Sequence, residues 1–127
     1  MKHRAFTLIE IMVAIVIMAV LILAIIPVYN KTVDEAQKRS AKTILEAIRG
    51  AEIVYQIDKN TYHSFDPLSD SDRTVLKMNI YNSSDWKYVV KETSSATATA
   101  TRQRGKHKDE QIKVDIATGN IASEYSW

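Results

Sequence analysis

The chain has 127 residues, 46% of them hydrophobic and 25% charged, with 17 Lys and Arg against 15 Asp and Glu and no cysteine. That composition fits one folded domain rather than a disordered segment, and the missing cysteine excludes disulfides, thiolate nucleophiles and cysteine-ligated zinc. Lys2 and Arg4 account for the formal charge of +2, so the rest of the chain is neutral and has no general electrostatic pull toward nucleic acid or anionic lipid.

The apolar residues are concentrated at the start. From Phe6 to Ile26 every residue is apolar or small except Thr7 and Glu10. Helix from Phe6 to Pro27 would be roughly 33 Å long, enough to cross a bilayer core. A plain membrane anchor has this length; a secretory signal with "MKHR" as its basic region would have a shorter apolar run and no acid at its mouth. The positive-inside rule places Lys2 and Arg4 in the cytoplasm and the body of the chain across the membrane. Glu10 needs a reason to be there, because a carboxylate at membrane depth costs roughly 2.5 to 3.5 kcal/mol and such acids usually have a role. Pro27 donates no backbone hydrogen bond and crowds the carbonyl of Leu23, which predicts a kink or a weakened turn.

Beyond Pro27 the pattern becomes amphipathic. Ala41, Ile44, Leu45, Ile48, Ala51 and Tyr55 fall at three- and four-residue spacing on one helical face. Asp34 and Glu35 precede Lys38 and Arg39 by four residues, the favourable order for exposed pairs. One helix, bent near Pro27, is therefore expected from Phe6 to about Ile57, with Asn60 as the left-handed residue that closes it. Residues 63–85 read as a connection holding one short helix, capped by Ser71 and pinned to the core by Val75, Leu76 and Met78. Asp66, Asp70 and Asp72 lack the glycine and distal glutamate of an EF-hand loop and read as loop and cap acids, with no metal implied.

The last third has the period of strands. Trp86, Tyr88 and Val90 alternate with Lys87, Val89 and Lys91, and Ile112, Val114 and Ile116 alternate with Lys113, Asp115 and Ala117. "ATGN" supplies a hairpin turn before Ile121. In "SSATATATRQ" period two puts Ala96, Ala98 and Ala100 on one face, where small side chains let a helix approach. The fold class is thus α+β, a long N-terminal helix whose second half packs on a small antiparallel sheet of three or four strands. The stretch "RQRGKHKDE" should be an exposed hairpin tip. Its Arg102, Arg104, Lys106 and Lys108 could contact a polyanion such as nucleic acid, although Asp109 and Glu110 offset part of the charge and a solvated tip is the plainer reading.

No catalytic constellation emerges. His3, His63 and His107 are scattered, and the three glycines form no phosphate loop. No enzyme activity and no cofactor is expected. Tyr29, Tyr55, Tyr62, Trp86 and Trp127 read as packing residues.

A short basic leader, a small residue and then "FTLIE" opening the apolar run resemble the class III signal of the type IV pilin and type II secretion pseudopilin family. The match is strong over residues 2–27, with Ala5 standing where the family usually has glycine. The resemblance implies the pilin fold, cleavage by prepilin peptidase between Ala5 and Phe6, and N-methylation of Phe6. Glu10 becomes the fifth mature residue, thought in the family to pair with a neighbouring subunit's terminal amine, and Pro27 falls where the pilin helix commonly carries a proline, often beside a locally unwound turn. It further implies a leader at 1–5, a transmembrane and filament-core helix at 6–28 and a globular domain at 29–127. The expected partners are further copies of the chain in a helical homopolymer, the prepilin peptidase, the pilus assembly machinery and the inner membrane before assembly. The expected location is the inner membrane as a single-pass precursor, then a surface or periplasmic filament. A pilus subunit is favoured because no convincing calcium loop is present; a secretion pseudopilin and a monomeric tethered binding domain are the alternatives.

Overall fold

The computed structural model describes residues 6–80, 84–92 and 95–124. Ala5, Lys2, Arg4, His3 and Trp127 lie outside them. The described elements are α1 (Leu8–Lys59), α2 (Asp70–Val75) and strands β1 (Trp86–Lys91), β2 (Thr97–Arg102), β3 (Gln111–Asp115) and β4 (Ile121–Glu124). The chain divides into two compact units, residues 1–37 and 38–127.

In the first unit the described residues from Leu8 on are helix, and the apolar side chains that make the segment hydrophobic are exposed throughout. Nothing among the described residues covers them, so local hydrogen bonding and helix propensity hold this unit together. The assignment of α1 runs unbroken through Pro27. A turn unwound ahead of the proline is therefore not a feature of the single chain.

The second unit contains the core. Ala41, Leu45 and Ile48 of α1 are fully buried and join Tyr88, Ala98, Ile112 and Val114 in one apolar cluster. Fully burying one such leucine contributes roughly 1.5 to 3 kcal/mol. Ile44, Ala51 and Tyr55 flank that face as partly buried residues packed on the cluster. The strands form an antiparallel meander in the order β1-β2-β3-β4. In its register Ala98 lies between Val90 and Val114, and Ala100 between Tyr88 and Ile112. Ala96, Ala98 and Ala100 are buried as their period predicts, which leaves room for the helix.

Local chemistry sets the connections. α1 ends at Lys59, two residues later than expected, and Asn60 takes the left-handed conformation with φ 57°. The cap of α2 is Ser69 rather than Ser71. Ser69 Oγ accepts the Asp72 amide while the Asp72 carboxylate accepts the Ser69 amide, a reciprocal capping box. Leu76 and Met78 reach the core, but Val75 is largely exposed because it ends α2 on the side away from it. On the outer edge of β1, Phe65 and Val90 exchange both backbone hydrogen bonds, and the Leu68 amide donates to the Tyr88 carbonyl. Gly119, with φ +75°, makes the turn into β4. The positive φ favours glycine there, and a Cβ would also meet the Arg49 guanidinium at 2.9 Å, displacing it from the Ile116 carbonyl to which its Nε donates. Thr118 donates from its amide and its hydroxyl to Asp115, which holds that carboxyl below its ordinary range.

Candidate functional site

The start of α1 is built from few contacts. The Thr7 carbonyl accepts the amides of Glu10 at 3.1 Å and Ile11 at 3.3 Å, so the first turn opens directly after Phe6. Glu10 lies in that turn, where unsatisfied amides and the helix dipole favour a negative charge. Phe6 is 76% exposed, and exposed apolar side chains continue to Val28 and Tyr29. α1 contains a segment long and apolar enough to cross a membrane. The result is a wholly uncovered apolar rod with a single carboxylate near its entrance. A carboxylate in an apolar setting is stabilised by a cation placed beside it. Farther along, Pro27 leaves the Leu23 carbonyl without its usual donor, and the Thr32 hydroxyl donates back to the Val28 carbonyl at 2.9 Å.

The basic stretch differs from its sequence reading. Arg104, Lys106 and Lys108 are exposed in the connection from β2 to β3, with Gly105 at φ +93° and Asp109 at φ 70°. Arg102 is 5% exposed, and so cannot belong to a surface track with them. Glu110 does not offset the tip charge either, since it is 4% exposed. It forms ion pairs with Arg102 at 3.5 Å and with Lys38 of α1 at 3.0 Å, while the Arg102 guanidinium lies 5.6 Å from the centre of the Trp86 ring. Parity in the sequence carries this signal. Arg102 continues the inward series of Ala96, Ala98 and Ala100, and Glu110 begins the inward series of Ile112, Val114 and Ile116. Two inward charges of opposite sign, one at the end of β2 and one just ahead of β3, are a pair waiting to be matched.

Glu52 is a second buried charge that periodicity by apolar residues passes over. It follows Ile48 by four residues on the same face and is fully buried. Its Oε2 accepts the His63 amide at 2.8 Å, while Oε1 has no hydrogen-bond partner among the described residues. His63 Nε2 lies 2.8 Å from Asp72 Oδ1, and the His63 ring packs on Tyr55 and Phe65. Burial raises the Glu52 pKa above 4.5, more than the His63 amide and charge lower it, and the Glu92 charge adds to the rise. Asp72 is also penalised by burial, but hydrogen bonds from Ser69 and His63 outweigh this and hold it below 3.8.

These shifts act in different pH windows. A carboxyl whose folded pKa is raised binds its proton more tightly in the native state, so its contribution is greatest below 4.5 and is lost as pH rises through the folded value. Asp72 contributes in the opposite sense, losing stability only as pH falls below 3.8. Glu52→Gln keeps an acceptor for the His63 amide and removes the ionisation. It should raise stability at neutral pH by roughly 1 kcal/mol, the excess cost of an under-partnered charge over a neutral amide, and flatten the fall in stability as pH rises from 4.5 to neutrality. Urea midpoints across that range check this; an unchanged slope in the variant would show that Glu52 is not the titrating group.

Among the described residues no group of three or more His, Asp or Glu is placed to hold a metal. Asp66 pairs with Lys87, Asp70 with Arg73 and Asp72 with His63 and Ser69, so each of the three loop acids is committed elsewhere.

Residues 1–26 match the family model described as the prokaryotic N-terminal methylation motif. Neither the curated proteins nor the solved structures contain a match to this chain. The matched motif spans the leader and most of the uncovered apolar rod, and a leader of this kind implies processing by prepilin peptidase and handling by the associated assembly machinery. An apolar helix of this length behind such a signal fits an inner-membrane precursor. The chain therefore carries a class III prepilin signal, typical of type IV pilins and pseudopilins, on an α+β pilin-like framework of one long helix and a four-stranded antiparallel sheet.

Proposed function

We propose that the chain is a structural subunit of a type IV pilus-like filament, cut between Ala5 and Phe6, methylated on the new Phe6 amine and polymerised through its N-terminal helix. The observation that carries this reading is the uncovered apolar segment of α1 that begins at the matched methylation motif and contains one acid, Glu10. Lipid satisfies that surface before assembly, and neighbouring copies of the same segment satisfy it afterward. Cleavage creates a cation at Phe6, and Glu10 of one subunit then pairs with the Phe6 amine of the next. Pro27 is the position at which the segment yields as subunits pack, since the helix there already lacks one backbone bond. In the filament the exposed tip cations Arg104, Lys106 and Lys108 recur on each subunit, and they offer polyanions such as nucleic acid no more than a weak, salt-sensitive contact.

Intact-mass analysis of filaments sheared from cells tests the processing step. The mature chain is expected to start at Phe6 and to carry one added methyl group. A chain starting at Met1, or one cut near Ala24, removes the basis for the reading.

The division into leader 1–5, lipid-facing helix 6–28 and globular domain 29–127 has its own test. A chain beginning at Tyr29 keeps the face from Ala41 to Ile48 that the sheet requires, and is expected to be soluble, folded and monomeric by circular dichroism and sedimentation. Spontaneous polymers of that chain would locate the assembly contacts in the globular domain instead.

A further inference from the structure

The short link from the end of α1 to the outer edge of β1 is held by one residue. At its start the Asn60 amide donates to the Gln56 carbonyl at 2.8 Å, and at its end Phe65 is fixed by both backbone bonds to Val90. Between these points, residues 61–64 make no backbone–backbone hydrogen bond among the described residues. His63 fastens the middle: its amide donates to Glu52 Oε2, its ring meets Asp72 Oδ1, and that ring lies against Tyr55 and Phe65. Thr61 adds a long contact, 3.5 Å, to the exposed Glu92.

We infer that residues 61–64 form a pH-operated lid over Glu52, closed while that carboxyl is protonated and opening locally between Asn60 and Phe65 once it ionises. The geometry sets the direction. An ionised carboxylate presents two oxygens that both call for donors, yet in the closed lid Oε2 has the His63 amide and Oε1, fully buried, has no hydrogen-bond partner among the described residues. An open lid admits water to both. A neutral carboxyl keeps Oε2 as the acceptor of His63 without a charge to hydrate, so it favours the closed form. The charged groups around Glu52 are few. On the lid, the His63 amide and the charge of a protonated His63 ring favour ionisation; beyond β1, Glu92 opposes it; on α2, Asp72 faces the His63 ring. Burial outweighs the favourable contributions and holds the Glu52 pKa above 4.5 while the lid is shut. Closure is therefore strongest below that value and weakens as pH rises through the folded one. The motion ends at Phe65 and Leu68, which are buried in the core.

The inference stands apart from the filament reading, because its test uses single full-length chains in detergent micelles. Residue-resolved amide hydrogen exchange, corrected for the intrinsic effect of pH, reads the His63 amide directly. Its protection is expected to fall by about threefold or more between about pH 5 and about pH 7.5, one proton allowing at most about tenfold per pH unit. At each pH it should be at least about tenfold below that of Ala98 and Val114 in the sheet, and low concentrations of urea should lower the protection of those two amides but not that of His63. In Glu52→Gln the pH dependence at His63 should vanish, with protection at neutral pH as high as the parent has in acid. Glu92→Gln, a change at an exposed residue, should make the fall shallower by removing the charge that opposes ionisation. Protection at His63 that is independent of pH in the parent, that keeps the parent's slope in Glu52→Gln, or that equals that of Ala98 and Val114 with the same response to urea would each overturn the lid.

Discussion

Glu10→Ala should leave membrane insertion intact or stronger and abolish filament assembly. Removing an ionised carboxylate from an apolar helix relieves a cost of roughly 2.5 to 3.5 kcal/mol at membrane depth, so the precursor gains stability in lipid. Under the proposed pairing the same change leaves the positive Phe6 terminus with no partner as it enters the apolar packing of neighbouring helices, and breaking such a buried pair costs roughly 3 to 5 kcal/mol per contact. A polymer pays this at every subunit. The measurement is paired: the amount of variant in the membrane fraction and the yield of sheared filaments. A plain anchor predicts no change in the second quantity, and filaments formed as readily as by the parent would remove Glu10 from the mechanism.

The largest effect on folding is expected from Glu110→Ala. The carboxylate sits with Lys38 and Arg102 in a site where Glu110 is 4% exposed and Arg102 5%. Its removal takes away the buried counter-charge of Arg102 and the contact by which Lys38 of α1 is joined to the start of β3. A loss of roughly 3 kcal/mol follows from removing one member of a buried ion pair, which is a large part of a small domain's stability. Adding Arg102→Met to the variant should recover much of that loss, because an apolar pair can replace a buried ion pair at little cost. Equilibrium denaturation of the parent, both single variants and the double variant gives the coupling directly. If Glu110→Ala costs no more than an ordinary surface change of about 0.5 kcal/mol, the triad does not hold the strands to the helix.

Most of the fold was legible because its elements keep strict periods. Ala41, Leu45 and Ile48 follow the helical period, and the alanines of β2 and Ile112 and Val114 of β3 follow the strand period, so both faces could be assigned from the sequence. What was missed shares one cause. Arg102, Glu110 and Glu52 occupy inward positions by the same periods, but reading by hydrophobicity assigns charged residues to solvent. Their burial depends on which charge lies on the neighbouring element, a fact that belongs to tertiary structure. The cap at Ser69 was missed because Asp72 closes the box where the usual signal is Glu or Gln. The candidate site was legible for a different reason: Phe6 and Glu10 are defined by order along the chain, and no long-range contact is required to see them.

Under the proposed assembly, the uncovered rod of α1 also governs how a filament of such subunits can grow. With its apolar side chains exposed from Leu8 to Tyr29, a released subunit has no tolerable state in water. A dissolved monomer pool is then negligible, so the usual balance of a critical concentration, with exchange at both ends, cannot operate outside the membrane. Addition and removal are confined to the end that touches lipid, where the departing helix has a second apolar solvent to enter. The distal end is kinetically silent, and filament length records the net traffic at the base rather than any equilibrium with the surroundings.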